Sequence, residues 1–343
     1  MEKDIFVKCN DLSIGYRERS NASAVVKSGI SLQALKGEMV ALIGGNGVGK
    51  STLLKTIAGF QPPLSGELLI HRRPVADFDS EELASELSFV STEIVRVAHL
   101  TVREMVGLGR FPYTNWFGQL NNKDEEMIDK AIREAGLCGY ENRFISRISD
   151  GERQRAMIAR ALAQDTRIMV LDEPTAFLDI SNKYEIVRIL HQLVSEYGKC
   201  IIFSTHDLHT ALSMADRIWL MLKEEVVEGI PEEVAAKGYF ETLFPDNHHL
   251  VFDTVKGDFS IKKENRGIVF LSAAGAELSI ATKALERLDF EVMHGLSVPP
   301  TSEFNVVRQA HSWLLSYSGK TQELESLEEL CRQVKQLKPQ PKS

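Results

Sequence analysis

Long apolar runs are missing from this 343-residue chain. No stretch reaches the roughly 18 to 20 consecutive apolar residues that a bilayer crossing requires. Any work at a membrane is therefore expected to borrow its membrane part from another chain. Excess basic charge is missing too: 40 Lys and Arg stand against 48 Asp and Glu, a formal net charge of −8. That balance removes a generic electrostatic grip on nucleic acid or anionic lipid. Cysteine is scarce and scattered. Cys9, Cys138, Cys200 and Cys331 form no close pair, which argues against a zinc site or a disulfide framework and fits thiols in a reducing cytoplasm. The opening "MEKDIFVKCN" has no basic start leading into an apolar stretch, so it does not read as a secretory signal. Internal repeats and low-complexity tracts are lacking as well.

What is present is ordinary soluble material. Hydrophobic residues make up 43% and charged residues 26%, enough for a sizeable core. The length suits one large domain with a small one, or two domains. Strand-like and helix-like segments alternate along most of the chain. "MVALIG", "RIMVLD" and "CIIFST" are apolar without alternation, as strands covered on both faces are. Between them "GERQRAMIARALAQ" and "SNKYEIVRILHQLVSEYG" carry helical periodicity. This order predicts an α/β fold on a largely parallel sheet. From about Thr101 to Arg147 the aliphatic strand runs stop, and "NKDEEMIDKAIREAGL" reads as an amphipathic helix, so a helical insertion is expected there. Near "LFPDNHH" the style changes again. Beyond it "HLVFDTVKGDFSIKK" alternates around Lys256-Gly257-Asp258 and reads as a hairpin. Strand "GIVFLS", a helix near Ala276 to Leu288, "FEVMHG", "SWLLSY" and a charged helix from about Leu324 to Leu337 follow.

The segment "ALIGGNGVGKSTLLKTIAG" joins a buried strand to a helix through Gly44, Gly45, Asn46, Gly47, Val48, Gly49, Lys50 and Ser51. It fits G-x-x-x-x-G-K-S/T in full. In such a loop backbone N–H groups point inward at phosphates, and residues without side chains permit the close approach. The helix starting near Lys50 adds its positive end. Lys50 is placed to reach the β and γ phosphates, Ser51 to offer a hydroxyl to Mg²⁺, and Thr52 stands beside it. The pattern predicts a nucleoside triphosphate site.

In "RIMVLDEP" four apolar residues lead to Asp172 and Glu173 at a strand end. Adjacent acids there need cationic partners. A Mg²⁺ ion near Asp172 would be one, leaving Glu173 to polarise a water for attack on the γ-phosphate. Between the two motifs, "ISDGERQRAMIARAL" opens a long helix on Ser149 and Gly151. Such a start is either a plain N-cap or a second anion site.

The ordered set "GGNGVGKS", "ISDGERQR", "IMVLDEP", "FLD" at 177–179 and "STHD" at 204–207 resembles the ATP-binding cassette ATPases over residues 1 to about 240. The resemblance implies a P-loop NTPase core with a mostly parallel sheet, an antiparallel β subdomain and a helical subdomain near 95–160. It implies a cassette over 1–245, with 246–343 left as a small α/β accessory domain, regulatory or stabilising. It also implies ATP and Mg²⁺ as ligands, and a head-to-tail dimer in which Ser149 and Gly151 complete the partner copy's site. His206 corresponds to the family's histidine on the γ-phosphate, Asp179 to a residue shaping the dimer contact, and Tyr16 in "LSIGY" to the aromatic that stacks on adenine. Two departures stand out. Asp150 and Glu152 replace the usual glycine and glutamine of the signature. Thr92, followed by Glu93, occupies the place of a glutamine that touches Mg²⁺ and relays motion to the membrane partner.

Within that family, "LTVREMVGLGRFPYTNWFG" is similar to ATPases of importers for iron chelates, haem and vitamin B12. The expected partners are integral membrane permease subunits and, indirectly, an extracytoplasmic substrate-binding protein, with this chain on the cytoplasmic face of a bacterial inner membrane and no nucleic acid bound. Phe111, Tyr113, Trp116 and Phe117 are candidates for a groove receiving a permease helix, or for packing within the helical subdomain. The rivals are an exporter ATPase and a soluble cassette acting on DNA or ribosomes. DNA-repair members carry long coiled coils between loop and signature, which this sequence lacks, and ribosome-acting members commonly carry two cassettes.

Overall fold

A computed structural model describes residues 4–17, 23–91, 99–115, 118–244, 247, 249–253, 257–261, 266–295 and 304–337. The chain divides into two compact units after Ser260.

The first unit is built on a six-stranded sheet. Its strands run in the order Val226–Gly229, Arg217–Met221, Met39–Gly44, Cys200–Ser204, Ile168–Leu171, Leu87–Val90. All neighbours are parallel except the edge strand Val226–Gly229. Met39–Gly44, Ile168–Leu171 and Cys200–Ser204 are buried along their whole length because both faces are covered. Alternate side chains of Met39–Gly44 enter different cores. Val40 and Leu42 pack with Leu53, Leu54 and Ile57 of the helix Lys50–Ile57 and with Val7 and Leu12 of a second sheet. Ala41 and Ile43 pack with helices Asp150–Ala163 and Ile180–Tyr197. The second sheet is antiparallel, ordered Ser23–Leu35, Ile5–Arg17, Ser65–Ile70, Arg73–Pro74.

The helical region holds Val102–Gly107, Asn122–Glu134 and the start of Asp150–Ala163, each opened by a capping box: Thr101 with Glu104, Asn121 with Asp124, Ser149 with Glu152. Arg110 ties it together from inside. Its Nε lies 2.9 Å from Asp124 Oδ1 and an Nη donates to Ala163 O at 2.8 Å, with both side chains buried. The "GR-x-P" segment thus has a packing role of its own.

The hairpin Leu250–Asp253 and Asp258–Ile261 forms as the alternation predicts. It sits with the first unit, because Phe252 packs on Phe240 at 4.8 Å and Phe259 on Phe244 at 5.1 Å. The division therefore falls after Ser260 rather than after residue 245. The second unit has a five-stranded sheet, Glu291–His294, Ile268–Ser272, Phe304–Arg308, Trp313–Tyr317, Lys320–Leu324, parallel across the first three and antiparallel beyond. Helices Gly275–Glu286 and Leu327–Gln336 close its core through Leu285, Leu330 and Val334. Among the described residues no helix is long and apolar enough to cross a membrane.

Candidate functional site

The glycine loop follows directly from the buried strand Met39–Gly44. Two of its glycines are fixed by different constraints. A Cβ on Gly44 would lie 2.6 Å from Met221 O, so space excludes a side chain. Gly49, the helix N-cap, has φ +110°, which L side chains rarely adopt. Gly47 also has positive φ, while Asn46 is exposed and Val48 is half-buried against the core. The Lys50 ammonium folds back over the loop and donates to Gly44 O at 2.8 Å and Gly45 O at 3.0 Å. Burial pulls its pKa down, against the attraction of Glu173 and Asp172. Ser51 is exposed on the first turn and Thr52 is buried. Tyr16, more than half exposed, brings its hydroxyl within 3.2 Å of Thr52 Oγ1.

At the ends of the neighbouring strands the acids and the histidine meet. The Asp172 carboxylate is buried and accepts a hydrogen bond from Ser204 Oγ at 2.7 Å. The same Ser204 oxygen accepts from the Glu173 N–H at 2.8 Å. Glu173 has φ +47°, a conformation that L residues hold only when their surroundings impose it. Its Oε1 lies 2.7 Å from His206 Nε2. Ser204, which joins Asp172 to the Glu173 peptide, is a residue that sequence reasoning passed over. It lay in plain view as the last strand residue of "CIIFSTHD", but nothing local says that its hydroxyl reaches the next strand.

Ser149 caps the helix Asp150–Ala163, accepting from Glu152 N–H at 3.2 Å, while its own N–H donates to Glu152 Oε2 at 2.7 Å. The Asp150 carboxylate turns toward Arg153, with an Nη at 2.5 Å. The extra charge in the signature is therefore paired along its own helix. Gly151 is where the helix presses on Asn182: a Cβ there would lie 2.2 Å from Asn182 Cγ. Asn182 accepts from an Arg155 Nη at 2.8 Å and donates to Asp179 Oδ2 at 2.8 Å. Within this one copy, Ser149 and Gly151 thus make their contacts with Glu152, Arg153 and Asn182. Beside Asp179, Phe177 is fully exposed at φ +61°.

Thr92 and Glu93 lie outside the described residues, as do Trp116 and Phe117. Phe111, 72% exposed, lines a groove of about 410 Å³ with Leu100, Leu108, Leu120 and Ile128. Tyr113 goes elsewhere: its hydroxyl donates to Gln164 O at 2.9 Å and its ring carries Arg110 at 4.1 Å.

A triphosphate loop, an acidic strand end and a histidine at one end of a parallel sheet define a P-loop nucleotide hydrolase. Similarity to known proteins narrows the class. The sequence model of the ABC transporter family matches residues 28–176. An uncharacterized ABC transporter ATP-binding protein of Methanocaldococcus jannaschii is 35% identical over 293 residues, 84% of this chain and 99% of that relative. A petrobactin import ATP-binding protein of Bacillus anthracis is 38% identical over 209 residues, 61% of this chain and 77% of that relative. A dimeric ATP-binding cassette solved in a post-hydrolysis state with ADP and Pi superposes with TM-score 0.58 at 28% identity, covering 66% of this chain and 98% of that one. The chain belongs to the ABC transporter family, as an ATP-binding component. It binds ATP and is an ATPase.

Proposed function

We propose that this chain energises import of an iron chelate, haem or cobalamin-like compound through a separate membrane permease. The observation that carries the catalytic part is the cluster at the strand ends: Ser204 holds the Asp172 carboxylate and the Glu173 peptide together, and Glu173 reaches His206. In this reading the loop amides from Gly44 to Thr52 and Lys50 bind the triphosphate, and Tyr16 faces the adenine. Glu173 takes a proton from the attacking water as its oxygen bonds to the γ-phosphorus and the bond to the β-phosphate oxygen breaks. His206 Nε2 holds a γ-phosphate oxygen. Mg²⁺ suits the oxygens offered here, the buried Asp172 carboxylate and the Ser51 hydroxyl. The described residues contain no cluster of three or more His, Cys, Asp or Glu side chains able to hold a metal, so the remaining ligands would be phosphate oxygens and water. Bound there, the ion neutralises charge developing on the phosphates. Thr92, two residues beyond the strand that ends at Val90, would offer its hydroxyl to the ion or the water.

Ser149 and Gly151 would close the site of a second copy, head to tail. Solved relatives that are dimeric cassettes support that arrangement. The apolar groove around Phe111 would receive a permease helix, placing the chain on the cytoplasmic face of a bacterial inner membrane. Relatives named for petrobactin, hydroxamate and enterobactin uptake support the importer reading over an exporter. Against a DNA-acting cassette, the longest described helix between the glycine loop and Ser149 is the 13-residue Asn122–Glu134, far short of a coiled-coil arm. The unit beyond Ser260 would form the accessory part, regulatory or stabilising.

The test is uptake of a radio-iron chelate by membranes holding the intact complex, with the native chain and with Glu173→Gln. The variant is expected to bind ATP and to lose both hydrolysis and uptake. Hydrolysis at the native rate in Glu173→Gln would remove Glu173 from its role, and chelate uptake independent of this chain would remove the transport reading.

A further inference from the structure

A wide cleft in the cassette lies at the opposite end of the sheet from the ATP site. It encloses about 890 Å³ and is lined by Lys36, Arg72, Arg167 and Lys199 with Phe6 and Tyr197. Its position follows from the strands. Lys36 leads into Met39–Gly44, Arg167 immediately precedes Ile168–Leu171, and Lys199 immediately precedes Cys200–Ser204. Those three strands deliver the glycine loop, Asp172 and His206 at their other ends. The volume is that of a small-molecule site.

Two features set the cleft apart from a chance hollow. The first is charge. In a chain with net charge −8, four basic side chains converge here, and among the described lining residues only Asp4 and Asp165 oppose them. Lys199 is largely desolvated: it donates to Thr166 O, lies 3.9 Å from Asp165 Oδ1, and burial lowers its pKa. His71, on the same wall, sits 3.1 Å from Glu86 Oε2, and burial holds its pKa down. The second feature is backbone strain. His71 and Arg72 form the two-residue turn between Ile70 and Arg73, at φ +48° and +67°. Such turns normally take Asn-Gly. Asp165 stands at φ +55° just past the helix C-cap Gln164, where glycine is preferred. Each of these conformations costs an L residue about 1 kcal/mol or more. Strain gathered at one cleft, on side chains that line it, is the pattern of a functional site.

We infer that this cleft is a second ligand site, separate from the ATP site, for a small phosphate-bearing anion with two or more negative charges. Lys36, Arg167 and Lys199 receive the phosphate oxygens, and Phe6 and Tyr197 flank the rest of the molecule.

The probe is inorganic pyrophosphate, titrated calorimetrically into the full chain with the glycine loop kept saturated by ADP. One binding event per chain is expected, weakening as salt is raised. The double variant Lys36→Glu/Arg167→Glu is expected to weaken it about tenfold or more, the effect of losing on the order of 1.4 kcal/mol, with ADP affinity and basal ATPase unchanged. Should charge reversal disturb folding, Lys36→Gln/Arg167→Gln gives the same direction with a milder change. No saturable binding, binding that competes with ADP one for one, or binding indifferent to both double variants would overturn the assignment.

Discussion

Replacing Ser204 by alanine removes one oxygen atom from the centre of the proposed hydrolytic site. Ser204 has no exposed surface, and its Oγ is shared between the Asp172 carboxylate at 2.7 Å and the Glu173 N–H at 2.8 Å. Alanine leaves a buried acceptor and a neighbouring donor without that partner. A hydrogen bond to a charged group contributes about 1.5–3 kcal/mol and a neutral one about 1 kcal/mol, so destabilisation of roughly 2–4 kcal/mol is expected. The kinetic consequence is sharper than the thermal one. The Glu173 N–H is an anchor of a peptide held at φ +47°, and relaxing that peptide swings the carboxylate away from its place beside His206. A displacement on the order of 1 Å in a catalytic group can reduce turnover about 100-fold. The loop and Lys50 are untouched, so KM for ATP should change little. In steady-state ATPase assays, purified Ser204→Ala is therefore expected to turn over about 10- to 100-fold more slowly than the native chain at near-constant KM. Ser204→Thr, which keeps the hydroxyl, should recover a substantial part of the rate. Turnover within about twofold of the native rate, or a rise in KM with turnover intact, would refute the positioning role.

Three further outcomes follow from other contacts. Arg110→Met strands the buried Asp124 carboxylate and is expected to lower unfolding free energy by about 3–5 kcal/mol in urea titration, with Arg110→Met/Asp124→Leu less damaging than the single change. Gly151→Ala drives a methyl into Asn182 and should depress ATPase activity, whereas Gly151→Ala/Asn182→Ala, which clears the space, should recover activity relative to Gly151→Ala. Thiol titration separates the cysteines: Cys138 is exposed and should react in the native state, while Cys9 and Cys200 are buried and should react only on unfolding. Burial pushes the Cys9 pKa up to about 12 and that of Cys200 higher still. Because folding raises these values, their stabilising contribution is intact below the unfolded thiol value of about 8.5 and is lost as pH climbs toward the folded one. Fast native-state labelling of either at pH 8 would contradict that burial.

The sequence by itself determined the parts whose physics is local. A glycine loop between an apolar strand and a helical pattern has one sensible conformation, and Asp172, Glu173 and His206 stand at strand ends because the runs before them are apolar on both faces. The capping box of Ser149 with Glu152 is written in four consecutive residues. Tertiary structure decided what depends on residues far apart in the chain. The Ser204 bridge joins residues 31 and 32 positions apart in sequence. Arg110 turned out to serve the packing of its own subdomain, and the hairpin after residue 249 joined the cassette because Phe252 and Phe259 found Phe240 and Phe244. The basic cleft was the least legible of all. No local motif singles out Lys36, Arg72, Arg167 or Lys199, and the parallel sheet, by lining up the beginnings of three strands, gathers their charge at one place. Periodicity and spacing encode what neighbours along the chain do, whereas convergence of distant charges is a property of how the layers pack.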